Sequence, residues 1–227
     1  MSTGVRVVSL VPSATETLLA WGVTPIAVTR FCEQPDLPTV GGTKNPDVPA
    51  IVRLSPDVVV MCPEENRLED AERLRAEGVD VHAVEIDDVA DVAGALQRLA
   101  SAVGVVCPDI EPLPPPTVPT RRAFIPIWRR PWMTMSSHCY GSSLLARLGV
   151  ENVYADSATR YPELEFESVS ARNVDVVLAP SEPYPFDERH RDVLERVAPV
   201  VFVDGKDLFW WGVRTPFAVR RMADALA

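Results

Sequence analysis

The sequence lacks any apolar run near the roughly 20 residues that a membrane-spanning helix needs. Its first residues, MSTGVRVVSLVPSATE, contain neither an apolar leader segment nor a small-residue cleavage site. Basic residues are also few: 22 Lys and Arg stand against 32 Asp and Glu, and the formal net charge of -10 opposes binding to nucleic acid or anionic lipid. We therefore expect a cytoplasmic protein without membrane insertion or a nucleic-acid partner, unless the start is misassigned and the chain is exported.

Motifs for disulfides and for catalysis are missing as well. The four cysteines have no CxxC spacing, which predicts free thiols. They are Cys32, Cys62, Cys107 and Cys139. No P-loop, G-x-G-x-x-G or G-x-S-x-G motif is present; Ser13 is better explained as a helix cap than as a nucleophile, and neither His82 nor His190 has an obvious partner. These observations predict a protein that is not an enzyme and holds no resident cofactor.

Apolar strand-like runs alternate with helical patterns along the chain. The first run, VRVVSLV, leads into the helix TETLLAW, and SATE has the form of a capping box at its start. The order then repeats: residues 18–28 are echoed by 144–155, and residues 57–65 by 175–183. Such alternation is typical of a mainly parallel sheet covered by helices. We predict an α/β protein of two similar lobes, each a mainly parallel sheet flanked by helices, with a ligand cleft between them.

A proline-rich stretch, VVCPDIEPLPPPTVPTRR, separates the two halves. Proline lacks an amide donor and disfavours helix in the residue before it, so this stretch should be extended and semi-rigid. The predicted domains are an N-terminal α/β lobe at 1–104, an interlobe linker at 105–122 and a C-terminal α/β lobe at 123–227.

Aromatic residues concentrate in the loops where an α/β sheet binds its ligands, after the carboxyl ends of the strands. Nine of them fall there: Phe31, Trp128, Trp132, Tyr161, Tyr184, Phe186, Phe209, Trp210 and Trp211. Aromatic faces suit a large, flat ligand, and the loop residues Arg129 and Arg214 suit its carboxylate or phosphate arms. The pattern predicts binding of an amphiphilic macrocycle. Packing of the same rings against the lobe ends is the alternative.

Few residues could ligate a metal directly, because converging His, Cys, Asp or Glu side chains are needed. Cys32 with Glu33, and His138 with Cys139, are the candidates in the predicted loops. His138 could be an axial ligand to the metal of a macrocycle, or simply an exposed or capping residue.

Several stretches resemble the cobalamin-type (class III) periplasmic binding proteins, also called helical-backbone metal receptors. They cover nearly the whole chain and include RVVSLVPSATETLLAWG, FCEQP, VGGTKNPD, GVENVYAD, RYPELEFESV and PSEPYPF. The resemblance implies the fold of an ABC-transporter substrate-binding protein that carries a corrinoid, haem or ferric siderophore. In that family aromatic residues stack on the corrin, and the matching loops offer Phe31, Trp128, Trp132 and either Trp210 or Trp211.

The resemblance also implies docking on a transporter permease through one acidic residue of each lobe, here Glu69 (or its neighbour Glu65) and Glu167. Two features depart from the family: the long helix that joins its lobes gives way to the proline-rich stretch, and a leader segment is missing.

Three functions follow from these observations. The first, which we predict, is a noncatalytic binding protein for a corrinoid-like or other metal chelate such as cobalamin, haem or a ferric siderophore, with an ABC-transporter permease as partner if the chain is exported. The second is a chelatase-like enzyme that acts on a tetrapyrrole. The third is a protein-interaction module with an aromatic cleft.

Overall fold

The structure, a computed structural model, describes residues 4–227. The chain forms two compact units. The first unit comprises the residues up to Ile86 together with Asp91–Ile110, and the second comprises Asp87–Ala90 together with Glu111–Ala227. The chain therefore passes from one unit to the other three times. In the described part of the chain, no helix is both long and apolar enough to cross a membrane.

The first unit is built on a parallel sheet of four strands. In chain order its elements are β1 (Val7–Ser9), α1 (Pro12–Ala20), β2 (Ala27–Val28), β3 (Gly41–Gly42), β4 (Asn45–Pro46), α2 (Val48–Arg53), β5 (Val58–Met61), α3 (Leu68–Ala76), β6 (Val81–Ala83) and α4 (Val92–Ala102). The sheet order is β2-β1-β5-β6, with every neighbouring pair parallel, and β3 and β4 form a small antiparallel pair. Valine dominates the buried strands β1 and β5, as β-branched residues pack well on a pleated surface.

The start of α1 differs from the predicted capping box. The N-cap is Val11, whose side chain accepts no hydrogen bond, and the helix begins at Pro12. Proline suits this position because it has no amide hydrogen to leave unpaired. Ser13 therefore lies inside the first turn, fully buried, and its hydroxyl has no hydrogen-bond partner. The prediction that Ser13 caps the helix is wrong.

The second unit repeats the plan of the first. Its elements are β7 (Arg121–Phe124), β8 (Pro126–Arg129), β9 (Trp132–Thr134), α5 (Tyr140–Arg147), β10 (Val150–Asn152), β11 (Glu163–Leu164), β12 (Val176–Pro180), α6 (Arg191–Leu194), β13 (Val200–Val203), α7 (Gly205–Phe209) and α8 (Thr215–Leu226). Its main sheet has the order β10-β7-β12-β13, and all three pairings are parallel. When the strands of each main sheet are numbered along the chain, the order across the sheet is second, first, third, fourth in both units. The predicted α/β fold of two similar lobes is confirmed.

Two parts of the second unit depart from this plan. Trp128 and Trp132, predicted to lie in loops, lie in the strands β8 and β9, which join β11 in an antiparallel sheet of order β11-β9-β8. The stretch after β13, also predicted as a loop, contains α7. Short segments of polar and aromatic residues such as these lack the extended periodic pattern of apolar residues by which strands and helices are recognised in a sequence.

The proline-rich segment has no helix or strand at residues 105–120. The part from Glu111 onward belongs to the second unit and is held there by polar contacts. Arg147 Nη1 donates to the carbonyl of Pro114 at 2.8 Å, and the amide of Thr117 donates to the carbonyl of Ala146 at 3.2 Å. Arg220 Nη1 contacts both carboxylate oxygens of Glu111. The exact domain limits given above for the linker stay a prediction.

Candidate functional site

In the first unit, a buried polar cluster fixes the loop that follows β2. The thiol of Cys32 accepts from the hydroxyl of Thr15 at 3.2 Å and lies 3.3 Å from the hydroxyl of Thr29. Burial raises the pKa of the Cys32 thiol, so it stays neutral. Its neighbour Phe31 is 49% exposed, with the Arg30 guanidinium 4.8 Å from its ring centroid. The loop is therefore anchored from beneath while it presents one aromatic ring to solvent.

Asn66 joins three loops at the same end of the first sheet, and sequence reasoning missed it. Its Oδ1 accepts from the amide of Cys62 at 2.8 Å. Its Nδ2 donates to the carbonyls of Thr43 at 2.9 Å and Leu10 at 3.4 Å. The residue is 5% exposed. In the sequence CPEEN this asparagine looks like an ordinary polar loop residue. Only its burial, which the sequence does not show, reveals this role.

In the second unit, four predicted ligand residues form a continuous chain of rings. Trp132 stacks on the buried Phe166 at 4.4 Å and lies nearly parallel to Phe186 at 6.1 Å. Phe186 contacts Tyr184 at 4.7 Å, and Tyr184 meets Trp128 edge-on at 5.5 Å. The chain runs from the core to Trp128, which is 42% exposed. Of the four rings, Trp128 is the most exposed.

The structure places the other three rings deeper. Phe186 is only 4% exposed and belongs to the hydrophobic core of the second unit. Trp132 and Tyr184 are half-buried and pack against that core. Phe186 thus has no open face in this structure, and its position corresponds to the alternative of core packing. Arg129, next to Trp128 in β8, is half-buried.

The turn between α7 and α8 carries the remaining aromatics. Trp211 is 3% exposed and therefore a packing residue, whereas Phe209 and Trp210 are half-buried. Two cations lie near the Trp210 ring, with Lys206 Nζ at 4.7 Å and the Arg214 guanidinium at 5.4 Å from its centroid. Of the two adjacent tryptophans, Trp210 is the more exposed.

A buried carboxylate ties this turn together. Asp207, 2% exposed, accepts from Arg214 Nη1 at 2.8 Å and from Arg221 Nε at 2.7 Å and Nη2 at 2.6 Å. The hydroxyl of Thr215 lies 2.9 Å from that of Tyr140 and accepts from the amide of Gly212 at 3.1 Å. Gly212 has φ 120°, a conformation open to glycine but strained for other residues. Arg214, predicted to meet a ligand, thus also has a structural bond.

Tyr161 lies half-buried in the loop after β10, with the Arg160 guanidinium 5.9 Å from its ring. Arg160 Nη1 also pairs with Asp87 Oδ1 at 2.6 Å, and the amide of Val89 donates to the Ser143 hydroxyl at 2.7 Å. The structure groups Asp87–Ala90 with the second unit, and both contacts join this short stretch to residues of that unit.

The candidate metal ligands belong to no cluster that could hold a metal ion among the described residues. Within residues 4–227, no group of three or more His, Cys, Asp or Glu side chains is placed to hold a metal ion. His138 is exposed just before α5, and its amide contacts the Ser136 hydroxyl at 3.3 Å. Its role as an axial ligand stays a hypothesis. All four cysteines are free thiols, as predicted.

Both acidic residues proposed for docking lie exposed at the starts of helical segments. Glu69 is in the first turn of α3, and Glu167 is in the first turn of the 3-10 segment Phe166–Arg172. Negative charge stabilises a helix at this end, so the helix geometry alone explains both residues.

Comparison with known sequences confirms the resemblance. Residues 7–106 match the family model of the periplasmic binding proteins. A vitamin B12-binding protein of Salmonella choleraesuis (strain SC-B67) is 25% identical over 189 residues, which cover 76% of this chain and 71% of that protein. A vitamin B12-binding protein of Vibrio parahaemolyticus is 26% identical over 190 residues, covering 76% and 69%. These matched proteins are binding proteins, not enzymes, in agreement with the prediction.

Solved structures show the same fold over nearly the whole chain. The periplasmic vitamin B12 binding protein BtuF of Vibrio cholerae has a TM-score of 0.77 at 20% identity, covering 98% of this chain and 96% of that one. The periplasmic heme-binding protein RhuT from Roseiflexus sp. RS-1 has a TM-score of 0.76 at 19% identity, covering 98% and 97%. An ABC transporter substrate-binding protein from Listeria monocytogenes EGD-e has a TM-score of 0.74 at 14% identity, covering 98% of each chain.

The expected cytoplasmic location is wrong. The matched family consists of periplasmic binding proteins, and matched structures are described as periplasmic, which points to the periplasm. The expectation depended on the first few residues alone. The packing of the folded units does not indicate in which compartment a protein acts.

Proposed function

We propose, for a chain whose residues 7–106 carry a periplasmic binding protein domain, that the protein is a noncatalytic binding protein for a corrinoid-like or other metal chelate. Cobalamin, haem and ferric siderophores are the candidate ligands, and related proteins are named for vitamin B12 and heme. The chelate is the protein's ligand and not a resident cofactor. The observation that carries the proposal is the supported, exposed ring of Trp128.

Trp128 combines exposure with a rigid base. A large aromatic residue left 42% exposed offers a stacking face, and its edge-on contact with Tyr184 at 5.5 Å limits its rotation. Binding to a ring that is already oriented loses little conformational entropy. Flat macrocycles gain from such rings, because aromatic stacking adds to the burial of apolar area.

Phe31 supports the same function from the first unit. The buried bonds of Cys32 hold its loop, and the ring is 49% exposed. Arg30 beside it adds a cation that suits a carboxylate or phosphate arm of a chelate.

Binding can be tested with the purified full chain. Cyanocobalamin, hemin and a ferric hydroxamate siderophore are titrated separately while visible absorption and Trp fluorescence are recorded. We expect saturable binding of at least one chelate, with quenching of fluorescence. If none of them binds and a peptide or protein is captured instead, the proposal is wrong.

Two substitutions identify the surface used. Trp128→Ala and Phe31→Ala should each weaken binding by roughly 10- to 100-fold, since a buried aromatic anchor contributes more than about 1 kcal/mol and 1.4 kcal/mol corresponds to tenfold. Phe217→Ala is the matched control: Phe217 is 54% exposed on α8, also with an arginine near its ring at 4.8 Å, but lies outside these loops. Equal losses in all three variants would contradict the assignment.

The axial role of His138 is tested by spectroscopy. His138→Ala should change the visible spectrum of a bound cobalt or iron chelate if the imidazole coordinates the metal. An unchanged spectrum with unchanged affinity would assign His138 to the exposed surface alone.

We propose further that the protein delivers its ligand to an ABC-transporter permease through Glu69 and Glu167. Both carboxylates are exposed on their units. The charge-reversal variants Glu69→Arg and Glu167→Arg should keep chelate affinity but lose stimulation of a reconstituted vitamin B12-type ABC importer. Glu163→Arg, an exposed change on β11, serves as the control. Wild-type stimulation by both docking variants would refute this step.

A further inference from the structure

We propose that His190, held by Asp187, is a positioning residue: it fixes the hydroxyl group of Tyr184 and thereby orients the ring pair of Tyr184 and Trp128. This inference rests on the proposed function, because Trp128 is the ring that we assign to the ligand. It gives a role to a histidine that the sequence left without a partner.

The imidazole of His190 is buried and contacts a carboxylate, a hydroxyl group and two aromatic rings. Its side chain is 8% exposed, and Nδ1 lies 3.1 Å from Asp187 Oδ1 while Nε2 lies 3.4 Å from the hydroxyl oxygen of Tyr184. The rings of Tyr184 and Phe186 meet the imidazole edge-on at 5.5 Å and 5.4 Å. The histidine therefore links a loop carboxylate to the chain of rings.

The loop residue Asp187 holds the Nδ1 edge of the imidazole. The backbone amide of Asp187 donates to Nδ1 at 3.2 Å, and Nδ1 also lies 3.1 Å from Asp187 Oδ1. Arg189 contacts both carboxylate oxygens, with Nη2 2.6 Å from Oδ2, and these bonds lower the pKa of Asp187 to about 2. The carboxylate beside the imidazole is therefore itself fixed by Arg189.

Because Nδ1 accepts from the amide, the ring hydrogen lies on Nε2, which donates it to the hydroxyl oxygen of Tyr184 at 3.4 Å. The hydroxyl of Tyr184 is thereby held at the imidazole. Tyr184 in turn meets Trp128 edge-on at 5.5 Å with an interplanar angle of 77°. The hydroxyl of Tyr184 thus serves orientation, and its ring supports the exposed indole.

A double-mutant cycle tests this link. Tyr184→Phe removes only the hydroxyl, and His190→Phe removes both ring nitrogens while it keeps an aromatic ring in the site. Each should weaken binding of cyanocobalamin or hemin, whichever the wild type binds, by about three- to tenfold, the effect of one hydrogen bond of ordinary net strength. The double variant should be no weaker than either single variant, because both remove the same bond.

Two further variants separate positioning from simple loss of packing. His190→Gln places an amide NH2 group near the position of Nε2 and should restore part of the affinity. His82→Phe, at a half-buried histidine of β6 in the first unit, should leave affinity unchanged. Near-UV circular dichroism of the free protein, compared with a Trp128→Phe variant, should show the Trp128 contribution reduced in Tyr184→Phe.

The outcomes distinguish this inference from the proposed function. If the wild type binds none of the chelates, the proposed function fails and the inference fails with it. If the wild type binds and Tyr184→Phe and His190→Phe both bind as tightly as the wild type, only the positioning role is refuted. The same holds if the losses of affinity in the two single variants multiply in the double variant. Should His190→Phe not fold, Tyr184→Phe with its dichroism signal decides alone.

Discussion

Replacing Asp207 by Ala should destabilise the second unit by about 3 kcal/mol or slightly more. The carboxylate is 3% exposed in its side chain and pairs with Arg214, which is 15% exposed, and Arg221, which is 51% exposed. Removing one partner of a buried ion pair costs about 3–5 kcal/mol, whereas a solvent-exposed pair contributes about 0.2–1 kcal/mol. The half-exposed Arg221 can return to water, so the lower part of the buried range applies.

Urea unfolding followed by Trp fluorescence measures this loss, since Trp210 and Trp211 lie in the same turn. With a slope of about 1–3 kcal/mol per molar urea, the midpoint should fall by roughly 1–3 M. Glu111→Gln is the control, because its pair with Arg220 is exposed at both ends, 56% and 51%. A midpoint shift in Asp207→Ala no larger than that of Glu111→Gln would refute the assignment of Asp207 as the tie between α7 and α8.

Three further changes test other parts of the structure. Gly141→Ala should destabilise the protein by about 1–3 kcal/mol, because an added Cβ would lie 2.6 Å from the carbonyl oxygen of Leu208. Gly94→Ala is the control: its Cβ would meet only the flexible end of an arginine at 3.3 Å, and the change should stabilise the protein by up to about 1 kcal/mol. The urea unfolding midpoints of the two variants measure this difference. Burial raises the pKa of Cys62 to about 12, so its contribution to stability is present below about pH 9 and is lost as the pH rises toward 12; Cys62→Ala should show a shallower alkaline decline. Native protein should expose one fast-reacting thiol, Cys107, because the other three are buried, and Cys107→Ser should abolish the fast phase of a thiol titration.

Much of the fold could be predicted from the sequence. Valine runs such as those at 58–60 mark buried parallel strands, and their recurrence in the same order after the proline-rich segment indicates two units with the same strand order. The start of α1 was placed wrongly, since Ser13 followed by Glu16 imitates a capping box, yet Pro12 favours the first helical position. The local sequence allows the helix to begin after Ser13 or at Pro12, and only the path of the backbone decides between these two starts.

The candidate site was less accessible to sequence reasoning. Exposure separates Trp128 from Phe186 and Trp210 from Trp211, although each pair looks alike in the sequence. The fraction of a ring that is buried depends on contacts with residues far along the chain, such as Phe166 beneath Trp132. Composition therefore indicated the right loops but not which ring in each loop stays open, and the roles of these residues in binding stay a prediction.

The three passages of the chain between its units limit how the gene can be divided. A cut within the proline-rich segment, between Ile110 and Glu111, would leave Asp87–Ala90 on the first fragment, although these residues belong to the second unit. The C-terminal fragment would then lack the Asp87 partner of Arg160 and the Val89 amide that bonds Ser143. The halves share one plan, but the second unit is complete only in the intact polypeptide.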